Sequence, residues 1–349
     1  MNSLIKIIFP SLLLIACSFL QSCTETNEPS PTFDVNFSVP SNFPAPVYDM
    51  QANPITKDGF LLGKKLFYDG ILSKDGSISC GTCHIQSSGF SQHGHDLSHG
   101  IQDRLTMRNT PGIQNVAWKK FFQWDGGVFN LDLFPINPIT AHNEMDETLE
   151  NVLYKLRKHP QYPGLFKLAF GTEEITTERF LKALSQFQLM IISAQSKYDK
   201  VQRNEGISFT VDEQEGYAVF KQKCATCHAE PLFSDESFRN NGLSVKNPLD
   251  KGRALITLND KDVYSYIVPS LRNVMLTPPY MHDGRFETMD KVLDHYTTGM
   301  IDSPYLDPIF KQQNPIGIRL TDSEKSSLKS FLNTLSDTEF IRNRIFSEF

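Results

Sequence analysis

Cysteine is scarce in this chain. There are six among 349 residues, and every one can be assigned without a disulfide. Four stand in two short C-x-x-C-H stretches, and the other two, Cys17 and Cys23, lie at the extreme N-terminus. The fold therefore rests on its apolar core and on whatever the four motif cysteines hold. Runs of basic residues are also missing, and the formal net charge is −6, so nothing is present to neutralise a phosphate backbone. Nucleic-acid binding is excluded on that ground. Strand signals are few, which points away from all-β architectures. Long apolar runs are lacking too. The best one, Ile7 to Leu20, is broken by Pro10, Ser11, Cys17 and Ser18 and is too short for a comfortable membrane span.

With Lys6 ahead of it, that apolar run reads as an export signal. Leu20-Gln-Ser-Cys23 resembles a lipoprotein box, in which the cysteine is acylated after cleavage on its N-terminal side. Leu14-Ile-Ala-Cys17 fits the same pattern, but Ser18-Phe-Leu after it is still apolar, whereas a polar tether, Thr24 to Pro31, follows Cys23. A signal peptide over 1–22 and a lipid anchor at Cys23 are expected. The product would then face the periplasm on a bacterial membrane, with a soluble periplasmic protein as the alternative.

The first motif is Cys80-Gly-Thr-Cys83-His84 and the second Cys224-Ala-Thr-Cys227-His228. C-x-x-C-H is the attachment signature of a c-type haem. The two thiols add across the haem vinyl groups, and the adjacent imidazole becomes the proximal iron ligand. Two C-x-x-C pairs can also build a zinc site. Such pairs usually lie within about 20 residues of each other and need no histidine directly after the second cysteine. Two covalent haems are the expectation, and it agrees with export, because c-type haems mature outside the cytoplasm.

The length suggests two domains, each able to bury its own core. Residues 23–50 are rich in proline and read as a linker or extended arm. A helix is expected from about Pro54, with Leu61, Leu62, Leu66 and Phe67 at helical spacing and Tyr68-Asp-Gly70 ending it. The Gly-, Ser- and His-rich stretch 87–110 reads as loop. Helices follow over 146–170 and, most strongly, over Thr176 to Ser196, with Thr177 as candidate cap. A polar segment, Tyr198 to Val211, marks the domain boundary, and a helix over Asp212 to Lys223 leads into the second motif. The expected class is mainly α: two tandem cytochrome c-like haem domains with long loops, 51–205 and 206–349.

Further motifs are then specific. The chain resembles the bacterial di-haem cytochrome c peroxidase and MauG family in Arg108-Asn-Thr-Pro111, Phe122-Gln-Trp124-Asp-Gly126 and Asn143-Glu144-Met145. In the second half, Asp250-Lys-Gly-Arg253, Val268 to Asn273 and Leu276 to Gly284 match as well. The resemblance spans about Asn53 to Thr338. It implies that His84 serves the peroxidatic haem and His228 the electron-transfer haem. Glu144, 20 residues after Trp124, takes the place of the distal glutamate. Peroxide heterolysis needs a base that takes a proton from the near oxygen and returns it to the leaving one, and a carboxylate raised in pKa by burial can do this. On spacing alone, Glu144 would instead cap a helix starting near Asp146. Neighbouring His142 reads as a surface or supporting residue. Trp124 takes the position of an indole between the haems, or is simply a large core residue.

The resemblance also exposes departures. The reductively gated peroxidases carry a removable loop histidine on the first haem; the matching position here is Ile101, with His93, His95 and His99 nearby. Phe134 stands where the family often has a glutamine. The second haem's distal ligand is Met in those peroxidases and Tyr in MauG-like proteins. The family spacing, 12 residues after Gly284, falls on Tyr296, with Met281 and Met300 as alternatives. Thioether favours the reduced iron, and phenolate favours higher oxidation states. The family's calcium ion implies Asn109 and the carbonyls of Thr277 and Pro279 as hard oxygen ligands. Arg272 and His282 are expected to organise the second haem or the backbone linking the two.

The implied function is reduction of hydrogen peroxide to water with electrons from a small periplasmic donor such as a cytochrome c. The rivals are a MauG-like oxidase acting on a partner protein and a non-catalytic electron-transfer cytochrome. A homodimer is a further expectation of the resemblance.

Overall fold

The computed structural model describes residues 35–348. The two N-terminal cysteines, the expected signal peptide and the anchor at Cys23 lie outside the described residues. From Val35 to the C-terminus the chain makes one compact unit, and it is mainly helical. Its only regular strands among the described residues are two-residue pieces, β1 (Phe238–Arg239) and β2 (Tyr266–Ile267), paired antiparallel.

Both halves repeat one arrangement. Helix α1 (Lys57–Tyr68) is capped by Thr56, whose hydroxyl accepts from the Gly59 amide. It buries Phe60, Leu62, Leu66 and Phe67, while Leu61 faces outward. Helix α2 (Thr177–Leu189) packs across it. The cap of α2 is Thr176 and not the expected Thr177, because the Thr176 hydroxyl reaches the Arg179 amide. A Cβ on Gly63 would meet the Ala183 carbonyl at 2.0 Å, so only glycine allows this close crossing. The second half does the same with α3 (Val211–Lys223) and α4 (Asp322–Asn333), where a Cβ on Gly216 would meet the Ser327 carbonyl at 1.9 Å. Each of α1 and α3 runs toward its C-x-x-C-H stretch. Between α1 and α2, shorter helices cover Leu149–Lys158 and Tyr162–Phe170.

Aromatic side chains fill the space behind both motifs. Phe60, Phe67, Phe90 and Phe187 meet behind His84, with ring centroids 4.9–6.2 Å apart. Tyr198, Phe220, Phe233 and Phe331 do so behind His228. The described part of the proline-rich stretch, 35–50, lies along the body. Phe43 stacks edge-on against Trp118, and the Trp118 indole donates to the Pro44 carbonyl at 2.8 Å. No helix among the described residues is long and apolar enough to cross a membrane.

Candidate haem and peroxide site

The first motif starts a single helical turn, Cys80–Cys83, with His84 as its C-cap. The His84 Nδ1 lies 2.8 Å from the Phe90 carbonyl oxygen. A carbonyl only accepts, so Nδ1 carries the proton and Nε2 presents its lone pair outward. Burial pushes this imidazole down to about 4, which keeps it neutral at physiological pH. The second motif repeats the device: His228 Nδ1 sits 3.2 Å from the Phe233 carbonyl and 3.1 Å from that of Pro269. Both histidines are thus held in the tautomer that ligates a metal through Nε2.

None of the four motif cysteines is in a disulfide, and Cys224, Cys227 and His228 line a cavity of about 1210 Å³. That is larger than the roughly 300–1,000 Å³ of ordinary small-molecule pockets. Gln114 lines the same cavity, and its buried side-chain Oε1 has no hydrogen-bond partner among the described residues. An outsized cavity, a pair of thiols at its wall and an imidazole tautomer ready for iron all fit a covalent haem. Each thiol pair carries its own adjacent histidine, held by a separate carbonyl, as a c-type haem needs.

Glu144 lies beside the first motif. Burial raises the Cys80 and Cys83 thiols, and the nearby Glu144 charge adds to both effects. Burial also raises the Glu144 carboxyl itself. No hydrogen bond or ion pair reaches that carboxylate from the described residues, so it is free to exchange a proton. It is not a helix cap: the following helix starts at Leu149 with Thr148 as its cap.

The backbone around Glu144 is fixed by the loop that follows His84. The Ile101 amide donates to the Glu144 carbonyl at 2.7 Å, and the Lys74 amide donates to the Met145 carbonyl at 3.0 Å. Arg104 donates to the His142 carbonyl at 2.7 Å and to Asp146 at 3.1 Å. Gly100 is required here, because a Cβ would come within 2.2 Å of the Asn143 carbonyl and 2.7 Å of the Glu144 Cα. Ile101 is fully buried, 1% exposed, and offers no ligand. Of the loop histidines, His93 and His95 are exposed, and His99 pairs with Asp103.

Tyr296 lines the large cavity on a π-helical turn, His295–Gly299. Burial raises its phenol, while a hydrogen bond from Asn241 works in the opposite direction. Met281 lines the cavity as well, and its sulfur accepts from Asn241 at 3.5 Å. Met300 packs with Leu306 and Phe310 in a cluster that also touches Tyr296, but does not itself line the cavity.

Trp124 also lines the cavity, and its indole N–H donates to the Asn109 carbonyl at 2.8 Å. Phe134 stacks on Phe122 at 5.5 Å, so the position offers an apolar wall where an amide was the family expectation. Asn109 Nδ2 donates to the Asp96 carbonyl, which leaves its Oδ1 unengaged. The Thr277 and Pro279 carbonyls likewise accept from no group among the described residues, and all three residues line the same cavity.

Arg108, Arg272 and Lys119 complete the surroundings of the site. Arg108 forks onto Asp250 at 2.8 and 2.7 Å and reaches Asp125 at 2.6 Å, which ties three of the sequence motifs together. Arg272 is fully buried and forks onto Asp199 at 2.9 Å while donating to the Pro231 carbonyl. It therefore organises the backbone behind His228. Lys119 lines the cavity with its ammonium lowered in pKa by burial, close enough to His84 and Glu236 to feel both.

A family model described as di-haem cytochrome c peroxidase matches residues 57–206. The methylamine utilization protein MauG of Methylorubrum extorquens is 36% identical over 302 residues, covering 86% of this chain and 83% of the relative. This chain belongs to the di-haem cytochrome c peroxidase family. The cytochrome c551 peroxidase of Nitrosomonas europaea is 32% identical, covering 83% of this chain and 84% of the relative. A solved MauG-like protein associated with microbial copper homeostasis superposes with a TM-score of 0.80 at 30% identity, over 90% of this chain and 99% of that one. As a di-haem peroxidase the chain is an oxidoreductase with two haem c groups, and the geometry above fits Cys80, Cys83 and His84 to one and Cys224, Cys227 and His228 to the other.

Proposed function

We propose that this protein reduces hydrogen peroxide to water beside His84, with electrons that arrive through the His228 side from a small periplasmic donor such as a cytochrome c. The observation that carries this reading is Glu144, a carboxylate beside the first motif with raised pKa and no partner. When bound, the haems supply the redox centres and the electrons for O–O cleavage. The residues supply the rest. Glu144 takes the proton from the near peroxide oxygen and delivers it to the far one, so that the leaving group departs as water. Gly100, Ile101 and Arg104 hold the Glu144 backbone in place for that transfer. Ile101 offers no ligating atom where the gated peroxidases have a histidine, so a haem held by His84 would need no prior reduction to admit peroxide. Trp124, fixed by Asn109, couples the two sites. Tyr296 would hold the second haem from the side opposite His228, with Asn241 donating to its phenol oxygen.

The unengaged oxygens of Asn109, Thr277 and Pro279 support a calcium ion between the sites, since hard cations select such ligands. Export to the periplasm, the lipid anchor at Cys23, tandem domains over 51–205 and 206–349 and a homodimer complete the proposal. A second reading is favoured by Tyr296 and Ile101 together: a MauG-like oxidase that uses peroxide to modify a partner protein.

The test is Glu144→Gln, which keeps the shape and removes the base. Peroxide turnover with excess donor is expected to fall about 10²- to 10⁴-fold with haem content unchanged. Unchanged turnover would take the base role from Glu144, and no peroxide turnover in the unaltered protein would favour a non-catalytic electron carrier.

A further inference from the structure

A second, smaller cavity of about 170 Å³ opens to the surface beside the large one. Asn241, Tyr266 and His282 line both, so these three side chains form the partition between the outer pocket and the His228 cavity. Tyr266 and His282 lie flat on one another, with ring centroids 3.7 Å apart and planes at 12°. Neither ring nitrogen of His282 hydrogen-bonds to a described residue, and the Tyr264 phenol, also on the wall, has no such partner either. The other polar groups are engaged: Asp250 by Arg108, Asp283 by Arg285. Leu97, Met107 and Val245 supply the apolar surface, and Met107 and Val245 are about half exposed at the mouth.

A cavity of about 150 Å³ admits a benzene ring. This one offers a ring-sized space, apolar walls, two unengaged polar groups and a stacked aromatic pair leading inward. We infer that the outer pocket binds a small single-ring phenolic reductant and passes its electrons through the Tyr266–His282 pair to the second haem. The inference rests on the proposed role of the His228 side in taking up electrons. Each oxidation moves one electron from the phenol to the second haem iron and releases one proton to water at the mouth. Two such steps convert one hydroquinone to quinone. Its two electrons, with two protons, turn one hydrogen peroxide into two waters.

The test uses the full holoprotein with 1,4-hydroquinone as reductant and resorcinol as a ligand that resists oxidation. Calorimetry is expected to show one resorcinol per chain. Binding should vanish in Met107→Trp, which fills the mouth, and weaken roughly threefold to tenfold in Tyr264→Phe, which removes one hydrogen bond. Reduction of the oxidised protein should saturate with hydroquinone and slow about tenfold or more in Met107→Trp, with ascorbate reduction unchanged. No resorcinol heat, or a hydroquinone rate that rises linearly and is the same in Met107→Trp, would overturn the inference. Equal slowing of hydroquinone and ascorbate would overturn it too. These readouts need no peroxide. If they hold while peroxide is not consumed, the pocket stands and the peroxidase reading falls; intact binding without reduction overturns the electron route.

Discussion

In the proposed reaction the chemistry turns on two side chains, Glu144 and Tyr296, and burial acts on both. Removing a carboxylate from water disfavours its charged form, so the Glu144 pKa rises. The base is the charged form, so activity falls as pH drops through this raised value. The acid limb of kcat/KM for peroxide should lie above the ordinary glutamate range, and Glu144→Gln should remove it along with most of the rate. In the proposed arrangement, replacing Tyr296 with Met exchanges a phenolate ligand for a thioether, which favours reduced iron. Tyr296→Met should raise the potential of one haem in a spectroelectrochemical titration and leave the other in place. A potential that does not move would take Tyr296 off the iron and leave Met281, which shares Asn241 with it, as the ligand. Motif spacing singled out both residues, and the fold puts Glu144 beside the first motif and Tyr296 on the large cavity. Asn241 was not singled out, because an asparagine in a polar loop carries no signal until the fold brings it to the cavity.

At the scale of elements, the loop after His84 and the loop bearing Glu144 act as one piece. Gln102 and Asp103 both adopt left-handed backbone, with φ of 56° and 61°, and this turn lets Ile101 and Arg104 grip the 142–146 segment from opposite sides. A methyl group on Gly100 would push against the Asn143 carbonyl and displace Glu144. A displacement of about 1 Å can cost on the order of 10²-fold in rate. Gly100→Ala is therefore expected to lower kcat by tenfold or more while haem content and the His228 side stay unchanged. A wild-type kcat would show that this loop does not position the base. The helices were readable from periodicity: α1 and α3 start within a few residues of their expected positions. The strongest expected helix ended earlier, at Leu189, where the chain turns so that Asn115 and Asp337 can bind the backbone of Ser193 and Gln195. Those partners lie far away in sequence, so no local pattern announces the stop.

Across the whole molecule, buried ion pairs hold the two halves in register. Asp199 and Arg272 are both fully shielded from solvent. Burial pushes the Asp199 carboxyl up, but the Arg272 fork and the Ser196 and Asn42 hydrogen bonds outweigh it, and the net shift is downward. A carboxyl lowered on folding contributes stability above its unfolded pKa of about 3.9, and that stability is lost as pH falls through the lower folded value. Asp199→Asn strands the buried guanidinium and should cost about 3–5 kcal/mol in denaturant unfolding at neutral pH. A cost under about 1 kcal/mol would show that the pair is dispensable. Such pairs are invisible in sequence, because Asp199 and Arg272 are 73 residues apart. The di-haem plan was visible, because each motif is local. The most direct test of the account mixes fully oxidised holoprotein with one equivalent of peroxide in a stopped-flow spectrometer. The account predicts an immediate change in the bands of one haem, without prior reduction, and a change about 10²- to 10⁴-fold slower in Glu144→Gln. No change until one haem has been reduced would contradict it and put a loop histidine, His99 first, on the iron.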